Sequence, residues 1–167
     1  MKTKLLFLDI DGVLNHQLFY EEKNQIERHK EVGYPMCDID FKKIELLNQF
    51  VKDTRVKIVS TSTWRKNITL EGIQQLFKDA GFKGEIIGVT SVLKMDNATM
   101  PRGVEIYEYL ESCQTIDIPY VIFDDDSDML LSQKKNFFLV DSYCGLTLNI
   151  IRKATNFLNG KSDYKYA

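Results

Sequence analysis

The chain predicts an α/β domain: a Rossmann-like, open, parallel five-stranded sheet with helices on both faces and a minimal cap or none. Three observations predict it. The apolar run Leu5-Leu6-Phe7-Leu8 breaks into Asp9-Ile10-Asp11-Gly12-Val13, Val121-Ile122-Phe123 breaks as abruptly into Asp124-Asp125-Asp126-Ser127-Asp128, and further apolar runs alternate with helical patterns. An unbroken apolar run is a strand covered on both faces, as in a parallel sheet, and parallel strands are joined by helical crossovers of one hand.

Strands are expected near residues 3–9, 55–60, 85–89, 119–124 and 136–140. The first long helix starts after Asp38 or Asp40 and carries Phe41, Ile44, Leu47 and Val51 on its inner face. The next runs from Thr69 to Ala80 with Gly81 as its stop, and Pro101-Arg102-Gly103-Val104-Glu105-Ile106 opens an amphipathic helix. Thr147 can cap the last helix, which ends near Gly160, and Asp126 can cap a short helix of its own. Residues 1–160 are expected to form one domain, followed by a polar tail over 161–167. Residues 13–38 are a loop insertion whose Tyr20–Lys30 stretch can form a helical minimal lid, and residues 90–101 are a shorter insertion.

In open parallel sheets ligands bind outside the carboxyl ends of the strands, so both acid clusters point to one site. Two carboxylates about 4 Å apart repel by roughly 4 kcal/mol at an effective dielectric of about 20. Such a cluster needs protonation or a cation. Carboxylates without Cys or His are hard oxygen ligands of the kind Mg²⁺ takes, together with substrate phosphate. The alternative is a set of solvated loop acids that cap helices. Asp9 and Asp11, two apart, leave a strand on the same side, and Gly12 lets the chain turn sharply.

The Asp-x-Asp-Gly string at Asp9, Asp11 and Gly12 resembles the first motif of the haloacid dehalogenase-like (HAD) superfamily of aspartate-nucleophile phosphotransferases. The resemblance implies that Asp9 is the nucleophile that becomes an aspartyl phosphate and that Asp11 is the general acid and base. It also implies a hydroxyl closing the next strand, where Arg55-Val56-Lys57-Ile58-Val59 leads into Ser60-Thr61-Ser62-Thr63. Ser60 is the first choice and Thr61 the second, while such a run can equally serve turns and caps. The third motif is a lone cation, for which Arg102 is best placed and Lys94 is in reserve. The fourth supplies metal carboxylates: Asp124 as the primary Mg²⁺ ligand with Asp125 or Asp128 as the second, beside Asp9 and Asp11.

Trp64-Arg65, Arg102-Gly103-x-Glu105-Ile106, Phe123-Asp124-Asp125-Asp126 and Gly145-Leu146-Thr147 sharpen the likeness to the small HAD domains of the "Swiss army knife" RNA-repair group. Tyr109 stands where that group often carries Trp. The resemblance implies a phosphoric monoester hydrolase acting on a phosphorylated nucleic-acid end, with a 3′-phosphate favoured. Nucleotides or small phosphorylated metabolites are the alternative, and a catalytically idle phosphate- or partner-binding protein is a further one. Gly12, Thr61 and Arg65 are the substrate-binding candidates. Trp64 either stacks on a base or buries against the sheet; Arg65 either holds a second phosphate or pairs with an acid.

Composition bounds the partners. Lys plus Arg total 22 against 24 acids, a formal net charge of −2, so no global basic character points to nucleic acid. Cys37, Cys113 and Cys144 have no metal spacing and read as reduced thiols of a cytoplasmic protein, and His16 and His29 are isolated. Asp9 interrupts the first apolar run too early for a signal peptide or a membrane span, so no membrane partner is expected.

Overall fold

The structure is a computed structural model that describes residues 3–27, 39–96, 98–113 and 118–161. In chain order its elements are β1 (Lys4–Leu8), α1 (Gln17–Glu27), α2 (Phe41–Thr54), β2 (Val56–Ser60), α3 (Leu70–Asp79), β3 (Ile86–Val89), β4 (Lys94–Met95), β5 (Ala98–Thr99), α4 (Arg102–Ser112), β6 (Tyr120–Asp124), β7 (Phe137–Leu139) and α5 (Leu148–Leu158). Five strands form one sheet in the order β3-β2-β1-β6-β7, with every pairing parallel. The chain runs outward from β1 to β3 and then returns to the other side of β1 as β6. The strand order therefore reverses between β1 and β6, which is where a parallel sheet opens a crevice at its carboxyl edge.

The two faces are filled unequally. Leu6, Leu8, Ile58, Val121 and Phe123 point to the face covered by Ile44, Leu47 and Phe50 of α2, Ile73 and Phe77 of α3, and Ile151, Ala154 and Leu158 of α5. Leu5, Phe7, Val59 and Ile122 point the other way, onto Ile106 of α4. This alternation along apolar strands is why their sequences show no polar face. Full burial of a large side chain such as Phe7, Phe50, Phe77 or Phe123 contributes roughly 1.5–3 kcal/mol each. Tyr109 packs here too, edge-on to Phe7 with ring centroids 5.7 Å apart. The helix starts follow side-chain chemistry: Asp40 accepts from the Lys42 N–H, Thr69 from Gly72 and Thr147 from Ile150.

Several expectations need correction. Phe41 is 61% exposed rather than inward, because it is the first residue of α2, and Phe50 and Thr54 take inner positions instead. Asp126 caps no helix: its Oδ1 accepts from the Ser127 N–H, and the next helical turn is the 3-10 segment Leu131–Gln133. The 90–101 insertion contains the antiparallel β4–β5 pair, too short for sequence periodicity to show. The helix foreseen over Tyr20–Lys30 is α1, which starts earlier; residues 28–30, with His29, and Cys37 lie outside the described residues. Cys144 is a free thiol. No helix among the described residues is long and apolar enough to cross a membrane.

Candidate active site

Asp9 is the first residue past β1 and Asp124 the last of β6, on either side of the point where strand order reverses. Asp9, Asp124 and Asp125 each present an oxygen within 4.8 Å of the others, the one such group of acids among the described residues. Asp124 is fully buried; its Oδ1 accepts from the Asp126 N–H at 3.0 Å, while its Oδ2 has no hydrogen-bond partner and faces the Arg102 guanidinium at 3.7 Å, too long for a hydrogen bond. A buried carboxylate oxygen without a donor is costly unless a cation faces it. Three hard oxygen donors around such an orphan fit Mg²⁺ and not zinc, whose sites draw on Cys and His.

Among the described residues, the guanidinium paired with the cluster is Arg102, whose Nη1 lies 3.6 Å from Asp9 and 3.7 Å from Asp124. It also donates to the Thr61 carbonyl. Lys94 is instead an exposed residue of the β4–β5 hairpin. Burial alone would lower the Arg102 pKa, but the charges of Asp9, Asp124 and Asp128 outweigh it and leave it raised. Burial raises Asp9, against the opposing pull of Arg102, an Ile10 N–H and a Ser62 hydrogen bond. It pushes Asp124 up to about 7, with the Asp9 charge adding and Arg102 opposing. Asp125 is raised by burial and then by Asp9. Three acids all shifted upward describe a site with too little positive charge of its own.

The other candidates fall into two groups. Ser60 and Thr61 are buried, with hydroxyls that have no partner, at the carboxyl end of β2. Ser60 is in register with Leu8, and Thr61 continues the ladder by donating to the Leu8 carbonyl, which brings Thr61 level with Asp9. Gly12 turns the chain at φ +72°, and a Cβ there would stand 2.9 Å from Asp125 Cβ and closer still to its carboxylate. Asp128 stands apart from the acid group: its Oδ2 accepts from the Arg102 N–H at 2.7 Å, at the start of α4. Asp11 also stands apart, exposed, with Oδ1 accepting from Asn15 Nδ2 at 2.9 Å and Oδ2 from Trp64 Nε1 at 2.9 Å.

Arg65 is not available to a second phosphate. Its side chain is 3% exposed and paired with Glu105, itself 2% exposed, and its N–H groups donate to the carbonyls of Thr61, Ser62 at 2.7 Å and Thr90 at 2.9 Å. A planar fork with five donors satisfies that many acceptors where a lysine could not. Glu105, three residues after Arg102 on α4, also accepts from the Leu93 N–H at 3.2 Å. The pair therefore ties the end of β2, the end of β3 and α4 into one frame behind Arg102. The sequence assigns no role to Glu105 or Ser62, although both stand in the quoted strings, or to Asn15, since a buried acid on an amphipathic helix, one hydroxyl in a run of four and a loop Asn do not show their partners.

This fold and this edge cluster define an open α/β domain of the haloacid dehalogenase-like class. The chain belongs to the family described as the HAD domain in Swiss Army Knife RNA repair proteins, whose model matches residues 5–150. No curated protein matches the chain.

Proposed function

We propose that the chain is a Mg²⁺-dependent phosphomonoester hydrolase that works through an aspartyl phosphate on Asp9, and that its substrate is a phosphorylated nucleic-acid end, a 3′-phosphate above all. The observation that carries the reading is the placement of Asp9 and Asp124 across the β1–β6 crevice with Arg102 within 3.7 Å of both. Asp9 attacks phosphorus in line, and the ester oxygen leaves with a proton from Asp11. Asp11 then takes a proton from the water that attacks the aspartyl phosphate, which frees inorganic phosphate and the Asp9 carboxylate. Arg102 and the hydroxyls of Ser60 and Thr61 bind phosphoryl oxygens. Asp9, Asp124 and Asp125 would hold Mg²⁺, which when bound would neutralise the charge that builds on those oxygens.

The substrate class draws on the family match and on the small insertions. Residues 13–38 and 90–101 are too short for a cap domain, which suits a polymer end entering from solvent. The net charge of −2 favours a second reading, a nucleotide or small phosphorylated metabolite. Rates on a 3′-phosphorylated oligonucleotide and on mononucleotides, with and without Mg²⁺, separate the two. Faster Mg²⁺-dependent release from the oligonucleotide is expected; equal or faster release from mononucleotides removes the nucleic-acid reading. Inactivity on every class of phosphate ester would leave a binding protein with an idle site.

A further inference from the structure

We propose that Trp64 is the stacking platform for the nucleobase next to the scissile phosphate, so that the site selects a leaving group that carries a base. The inference rests on the roles given to Asp9 and Asp11, and it adds the residue that reads what Asp11 protonates. Trp64 sits in a single 3-10 turn, Thr63–Lys66, directly after β2 and the Ser60–Ser62 run. The turn is capped by Ser62, whose Oγ accepts from the Trp64 N–H at 3.4 Å. Part of the indole packs against the larger core, and the rest reaches solvent.

A tryptophan needed only for packing can give its N–H to any acceptor. This one donates to Asp11 Oδ2 at 2.9 Å, across 53 residues of sequence, to the carboxylate assigned to the ester oxygen. Whatever leaves from phosphorus must leave beside Asp11, and the indole is one hydrogen bond from Asp11. In a nucleotide end the base lies a single sugar away from that oxygen, within reach of the ring. Core contact on one part and the Asp11 bond on another fix the ring before substrate arrives, so little freedom is lost on stacking. Lys66, exposed on the same turn, can meet the next phosphodiester. A bare phosphate ester would use none of this surface.

Trp64 is the one tryptophan of the chain, so its fluorescence reports on this residue alone. The Asp9→Asn protein in Mg²⁺ is titrated with a short 3′-phosphorylated oligonucleotide, with the same strand lacking its terminal base, and with glycerol 2-phosphate. Saturable quenching by the first, at lower concentration than by either of the others, is expected. No quenching, or equal quenching with the terminal base removed, would overturn the platform.

A second measurement compares Trp64→Phe with Trp64→Leu, which both lose the N–H to Asp11 while only the second loses the ring. KM for the oligonucleotide should be about 5- to 150-fold higher in Trp64→Leu than in Trp64→Phe, the worth of one base–aromatic stack, with the two alike on glycerol 2-phosphate. Equal KM values on the oligonucleotide would overturn the proposal. Base-dependent quenching in a protein without phosphatase activity would sink the hydrolase reading and leave the platform standing. Turnover of 3′-phosphate ends without base-dependent quenching would do the reverse.

Discussion

Gly12 and Asp125 occupy complementary space: the Asp125 carboxylate lies where any side chain at residue 12 would have to stand. Gly12 also has φ +72°, a backbone region that costs an L-residue roughly 1–2 kcal/mol. Gly12→Ala should therefore both destabilise the fold and displace Asp125 from Asp9 and Asp124. Calorimetric titration with Mg²⁺ should show weaker binding than in the parent protein, and unchanged affinity would separate Asp125 from the cation.

Asp9 and Asp11 should respond unequally to loss of charge. Asp9→Asn removes the covalent route and should abolish turnover, whereas Asp11→Asn removes one general acid and should cost about 10²- to 10⁴-fold in kcat. Steady-state assays on an aryl phosphate in Mg²⁺ read both. Equal residual rates in the two variants would contradict the division of roles.

The acid cluster should make the metal-free protein less stable as pH rises. Asp124 is pushed up to about 7 from an ordinary 3.8, chiefly by burial, so the folded state holds its proton more tightly than the unfolded chain does. That contribution is fully present below about pH 4 and is lost as pH rises through about 7; it is worth up to about 4 kcal/mol. The Asp9 and Asp125 shifts have the same sign. Thermal melts in chelator should show Tm falling over this range relative to an Asp124→Asn variant, and Mg²⁺ should raise Tm more at pH 8 than at pH 5. A Mg²⁺ effect that does not grow with pH would count against carboxylates that must ionise to bind it.

Arg65 and Glu105 should behave as one unit. Removing a single partner from a buried pair leaves the other charge unpaired and costs about 3–5 kcal/mol. Arg65→Met or Glu105→Gln should lower stability in denaturant titrations, and replacing both with apolar residues should restore part of it. Because the frame stands behind Arg102, kcat should fall more than KM rises in whichever single variant remains folded. Additive losses in the double variant would mean that the two side chains are not coupled.

Much of the fold was legible because burial on both faces of a parallel strand leaves long apolar runs, and because Asp40, Thr69, Thr147 and Gly81 mark helix ends with local chemistry. The two acid strings were equally visible, since nothing about an apolar strand end calls for two carboxylates in three residues after β1 or four in five from Asp124 to Asp128. What was not legible depends on distant partners. Asp125 and Asp128 look alike in sequence, yet one faces Asp9 and the other the Arg102 N–H. Arg65 reads in sequence equally as a phosphate ligand or as the partner of an acid, and the choice falls to Glu105 and the carbonyls of Thr61, Ser62 and Thr90, which use its donors. Phe41 fits an apolar stripe but lies at the first turn of its helix, where solvent reaches it.

The measurement that bears most directly on this account is the site of covalent phosphate during turnover. Wild-type protein, acid-quenched while hydrolysing an aryl phosphate in Mg²⁺ and digested, should yield a phosphorylated peptide whose modified residue is Asp9. Steady turnover with no label there, or a label on any other residue, would contradict it.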